Sequence, residues 1–202
     1  MTEHFVVVSK LERAIARGHL DDAHRHARWI DEHDEAPQLV AWRPFVDEMR
    51  ASARAIAETT DLPTAGVLAA RLAAACSDCH VATHAVVTFA WEPVPDEAPV
   101  LQVQMRRHEW AAERLWEGLV GPSDALWREG TSVLATAKLD TVAASSGASR
   151  GDVLALANQV RQLARRATTL SERRDRATLF GELLSTCAGC HQLVRPTTPS
   201  GR

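Results

Sequence analysis

The residues best suited to chemistry are the four cysteines, and all of them fall into two frames of one form, Cys76-Ser77-Asp78-Cys79-His80 and Cys187-Ala188-Gly189-Cys190-His191. Two thiols separated by two residues on a helical turn can each add to one vinyl group of a haem, and the adjoining imidazole can ligate the iron from beneath. The pattern predicts two covalently bound haem c groups, attached at Cys76 and Cys79 and at Cys187 and Cys190, with His80 and His191 as iron ligands. Two other chemistries use paired cysteines. A thioredoxin-like redox pair sits between a strand and a helix, a context this sequence does not offer. A structural zinc site draws its pairs from ~15 to 20 residues apart, whereas these pairs lie 111 positions apart.

The segments that must position the motifs also repeat. Met1, His4, Val8, Leu11 and Ile15 precede the first motif as Met105, His108, Ala112, Leu115 and Leu119 precede the second, each pair 104 positions apart. Steps of three and four residues place each set on one helical face. Nearer the motifs, Ala53 matches Ala164, Leu68 matches Leu179 and Leu72 matches Leu183, at an offset of 111. Between the halves, residues 91–99 hold three prolines, which break a helix and read as a linker. The expected units are residues 1–96 and 97–202, each binding one haem.

Ala, Leu, Arg and Glu are abundant and Tyr is absent, a composition of helix formers that predicts an all-α fold. Helices are expected over 2–17, 20–34, 44–59 and 63–88, and again over 100–119, 122–140, 149–170 and 172–194, with Gly18, Pro37, Pro44, Pro63, Gly121-Pro122 and Ser145-Ser146-Gly147 as breaks. Four helices per half predict two tandem antiparallel four-helix bundles, each with its motif on the last helix.

Placement of the motif is the more specific signal. Only eleven residues follow His191, and none is Met or His, so a protein ligand on the other haem face must come from earlier in the chain. With Cys-x-x-Cys-His on the last of four helices, each half resembles the cytochrome c-prime family. That resemblance implies a four-helix bundle, a basic residue four positions after the haem-binding His, and pairing of two copies through the first two helices of a bundle. Arg195 stands at the basic position in the second half, and His84 replaces it in the first. Members of that family often leave the distal face open, while low-spin relatives take a Met from the first helix. Here the candidates are His4 or Met1 and, at matched positions, His108 or Met105. His is favoured as a strong ligand in both oxidation states that lies on the apolar stripe; a boundary imidazole that caps a helix or meets a haem propionate is the competing reading. A filled sixth position suits electron transfer, and an open one suits nitric oxide or carbon monoxide.

With 46% hydrophobic and 24% charged residues and a formal charge of −3, the chain has neither the basic stripe of a nucleic-acid binder nor a membrane-spanning run. The longest apolar run, 67–76, contains Arg71. No nucleophile with its base, glycine-rich phosphate loop or paired carboxylates stand in a recognisable frame, so no catalytic residue and no enzymatic activity are expected. His19, His24, His26 and His33 read as a solvated helix face, with His24 and Asp21 as an outside metal pair. The six tryptophans read as packing residues, Trp110 and Trp116 among them near a haem in a bundle. The expectation is a diheme electron carrier with redox proteins as partners. Its opening residues lack the pattern of a signal peptide, yet thioether attachment normally takes place outside the cytoplasm. A periplasmic or otherwise exported protein, read here in mature or truncated form, reconciles the two.

Overall fold

A computed structural model describes residues 2–33, 41–139 and 149–194. Met1, Arg195, Pro37 and the Ser145-Ser146-Gly147 break lie outside them. Eight helices and no strand are present among the described residues: α1 Thr2–Ala16, α2 Leu20–Glu32, α3 Arg43–Glu58 and α4 Leu62–Ala82, then α5 Leu101–Val120, α6 Asp124–Ala135, α7 Arg150–Ala167 and α8 Arg173–Val194.

Local chemistry sets the ends. Asp61 caps α4 by accepting from the backbone N–H of Thr64 at 2.7 Å, with Pro63 in the first turn, where a missing N–H costs nothing. The expected continuation of α4 to residue 88 does not occur. His84 adopts φ 53°, and Ala85 N–H donates to His80 C=O at 2.9 Å while His84 N–H donates to Val81 C=O at 3.3 Å. These two bonds form the reversed turn that ends many helices. α1 closes in the same way at Gly18, with φ 72°. α6 stops short of residue 140, at Ala135, where the C-cap Thr136 hydroxyl donates to the carbonyls of Ser132 and Val133.

Within each half, consecutive helices pack in order, and the first also meets the last: α1 with α4, α5 with α8. The most extensive pairing crosses the halves, between α4 and α8. Small residues permit it. A Cβ on Gly181 would stand 3.1 Å from Val67 Cα, and one on Gly66 would stand 2.9 Å from Ser185 Oγ. Asp78 near the end of α4 meets Arg173 at the start of α8, so the pair is antiparallel. α1 also packs on α8, and α5 on α4.

One apolar core runs through both halves, including Leu11, Ile15, Ile56, Leu72, Leu115, Leu119 and Leu183. The repeat positions predicted to face inward are therefore buried among the described residues, except Leu68, Met105 and Ala112, which are half-buried.

Candidate cofactor sites at the two cysteine motifs

Both motifs occupy the last two turns of long helices, α4 and α8. All four cysteines are free thiols. Burial pushes the thiols of Cys76 and Cys187 up to about 12, the reverse of the depressed value that activates a thioredoxin-type nucleophile. Among the described residues no group of three His, Cys, Asp or Glu side chains is gathered as a metal-binding set.

The two motif histidines are held in matching ways. His80 Nδ1 lies 2.9 Å from the carbonyl oxygen of Val120, and His191 Nδ1 lies 2.6 Å from that of Ala16. A carbonyl only accepts, so Nδ1 donates in each case and carries the proton. That bond leaves Nε2 as the nitrogen through which either ring could ligate a metal. Ala16 and Val120 are the last residues of α1 and α5 and stand 104 positions apart, as Met1 and Met105 do. Each imidazole thus bonds a carbonyl from the opposite half. Carbonyls in a final helical turn lack a helical donor and lie at the negative end of the helix dipole, so the bond satisfies both partners.

Beside the C-terminal motif is a cavity of about 440 Å³ walled by α1, α5 and α8, within the ~300 to 1,000 Å³ of small-molecule and cofactor sites. Cys187 and His191 lie on one wall with Phe180, Leu183 and Leu184; Met105, His108 and Ala112 come from α5, and Glu12 and Ala16 from α1. His108 is 9% exposed, and its Nε2 sits 3.9 Å from Cys187 Sγ. Among the described residues its buried Nδ1 has no partner. Burial first, and His191 second, lower its pKa to about 4, so the ring is neutral and suited to ligation. Arg13 pairs with Glu113, and Arg17 with Glu109 at 2.6 Å, at the rim. Cys187, His191 and His108 on this wall are the donor types that would hold a haem; Cys190 is not among the lining residues, and the rim arginines are paired with Glu113 and Glu109.

The N-terminal motif has the same imidazole anchor but a different surround. In the repeat frame, Phe5 and Gly121 stand where Glu109 and Arg17 pair at the other site. The Phe89 ring fills this place: its centroid is 5.1 Å from that of Phe5. A Cβ on Gly121 would come within 2.4 Å of it, so only glycine fits there. Phe89 belongs to a linker that runs along α5, anchored by Trp110 Nε1 donating to Glu92 C=O at 3.2 Å and Arg107 to Pro95 C=O at 2.6 Å. Buried His4 has its ring 5.3 Å from Trp29 and 5.1 Å from His33, which stack on each other at 4.1 Å. His84 lies in the turn that ends α4, exposed.

Of the remaining histidines, His24 Nε2 lies 2.9 Å from the Thr59 carbonyl, a tie between α2 and the end of α3, and His19 reaches the cavity wall. Trp110 and Trp116 are buried, with Trp116 5.6 Å from Phe180, a residue of the cavity wall. Composition and spacing missed Glu12, Phe89 and the carbonyls of Ala16 and Val120. Only the helix-end position of those carbonyls left a trace in the sequence, through Gly18 and Gly121. Comparison with known protein families, with curated proteins and with solved structures finds no match for this chain.

Proposed function

We propose that the chain is a diheme c-type cytochrome that carries electrons between redox proteins outside the cytoplasm. Each half is a four-helix bundle of the cytochrome c-prime kind, with one haem c on Cys76 and Cys79 and the other on Cys187 and Cys190. The observation that carries this reading is the pair of equivalent imidazole bonds, His80 to Val120 and His191 to Ala16. Both leave Nε2 as the ligating nitrogen in the residue that follows each cysteine pair.

The bound groups supply one-electron iron couples. The chain's own part is to hold and surround them. His80 and His191 would hold the irons, with their basicity raised by the carbonyl bond. At the C-terminal site His108 would serve as a further ligand, and Leu183, Leu184 and Phe180 of the same wall would exclude water. A six-coordinate iron changes little on reduction, which suits a carrier.

A gas-binding reading has one observation in its favour. The His4 ring is engaged with Trp29 and His33, an arrangement that suits an open iron face at the N-terminal site. Expression in cells able to mature c-type cytochromes, followed by intact mass and the pyridine haemochrome spectrum, tests the main reading: two thioether-linked haems per chain are expected, and colourless protein defeats it. Rapid carbon monoxide binding at both reduced haems would replace the carrier with a gas binder.

A further inference from the structure

We infer that Cys187, His108 and Met105 form a binding site for copper(I) in the chain when no haem is attached. The inference goes beyond the haem reading and does not depend on it.

Cys187 of α8 and His108 of α5 meet in the wall of the C-terminal cavity. Cys187 is 5% exposed and His108 9%. His108 Nε2 lies 3.9 Å from Cys187 Sγ, a weak contact, since a thiol is a poor donor and a poor acceptor. Among the described residues no partner reaches His108 Nδ1 either. A ring that is nine-tenths buried thus directs a nitrogen at a thiol that gives it little in return. Met105 lines the same cavity. It stands three residues before His108 on α5, on the same helical face.

Thiolate, thioether and imidazole together are a soft donor set, the kind that selects copper(I) over hard ions. Among the described residues no third His, Cys, Asp or Glu is gathered with the pair. Zinc takes four ligands, whereas copper(I) is stable with two or three. The spacing agrees. Bonds of about 2.3 Å to sulfur and about 2.0 Å to nitrogen set the two atoms about 3.5 Å apart at a tetrahedral ion and about 4.3 Å apart at a linear one. The observed 3.9 Å falls between them, where a bent two- or three-coordinate ion belongs.

Charge agrees as well. A thiolate buried beside Phe180, Leu183 and Leu184 is costly alone; one monovalent ion cancels its charge, and neutral imidazole and thioether add none. Binding balances as exchange. The S–H bond of Cys187 breaks, an S–Cu bond forms, the proton passes to water, and copper keeps its oxidation state. In the first half the equivalent imidazole, His4, packs against Trp29 and His33, so the site is assigned to the C-terminal half alone.

The test uses the full chain produced without haem attachment, titrated with copper(I) under argon against the coloured chelator bicinchoninate. Paired cysteines also bind copper(I), so the first measurement is on Cys76→Ser/Cys79→Ser/Cys190→Ser, which keeps Cys187 as the sole thiol. One copper(I) per chain is expected, with sulfur and nitrogen neighbours in the X-ray absorption spectrum. His108→Phe in that background should weaken binding by more than the ~100-fold that outer-shell changes cost, and Met105→Leu should weaken it less, with far-ultraviolet circular dichroism showing that each variant stays helical. Unchanged affinity in His108→Phe overturns the proposal, as does zinc held as tightly as copper(I). Should the cysteine variant fail to fold, alkylation of the copper-loaded wild type decides. Protection of Cys187 with Cys190 still reactive supports the site; joint protection of Cys187 and Cys190 shows a dithiol site and overturns it. Covalent haem is measured on separately matured chain, so either reading can fail alone.

Discussion

Glu12→Gln changes stability by an amount that follows from the burial of that carboxyl. Folding raises this carboxyl from 4.5 to about 8, so the native state holds its proton to higher pH than the unfolded chain does. By linkage, the native state keeps its full stability below about pH 4.5 and loses it progressively as pH rises toward about 8. At ~1.4 kcal/mol per pKa unit, the loss is about 3 kcal/mol at pH 7 and about 5 kcal/mol above pH 8. Glutamine keeps the shape and removes the titration. The variant should match wild type near pH 4.5 and exceed it at pH 7 by about 3 kcal/mol, or about 6 to 12 °C in Tm for a chain of this size. Urea unfolding followed by far-ultraviolet circular dichroism, at pH values from 4.5 to 8.5, measures this directly. A difference that does not change with pH, or a variant less stable than wild type at pH 7, refutes the argument that Glu12 is buried at an electrostatic cost.

Three further outcomes follow from the packing. His84→Gly should stabilise the chain by about 1 kcal/mol in the same unfolding assay, because His84 adopts φ 53°, a conformation that costs an L residue about 1 to 2 kcal/mol and glycine little. Gly181→Val should destabilise by at least about 1 to 3 kcal/mol, measured as a lower urea midpoint, since even a Cβ there stands 3.1 Å from Val67 Cα of the facing helix. Residues 97–202 produced alone should lack a fixed near-ultraviolet circular dichroism spectrum, because they lose α4, the main packing partner of α8, and the Ala16 carbonyl with it. A sharp, native-like spectrum from that half contradicts the interdependence of the halves.

Much of this arrangement is legible in local patterns. The cysteine frames mark both candidate sites by residue type alone, and the three-and-four spacing of Leu11, Ile15, Leu115 and Leu119 marks faces that are buried in the fold. Helix starts at Asp61-Leu62-Pro63 and Ser123-Asp124 follow from capping chemistry. What escapes is long-range. Nothing near His191 signals that its ring meets a carbonyl 175 positions away, since a backbone acceptor has no residue type to read. Glu12 looks like an ordinary polar position of an amphipathic helix and is buried because a third helix, α8, covers that face as well. The end of α4 was unreadable for another reason: His84 enters the left-handed region without glycine to announce it.

The crossed anchoring of the two imidazoles has a genetic corollary. A chain reduced to one repeat would keep a full set of cysteines and a histidine yet lose the acceptor that orients the ring, so neither copy is a spare of the other. Loss of either half would thus leave the histidine of the other without its carbonyl acceptor.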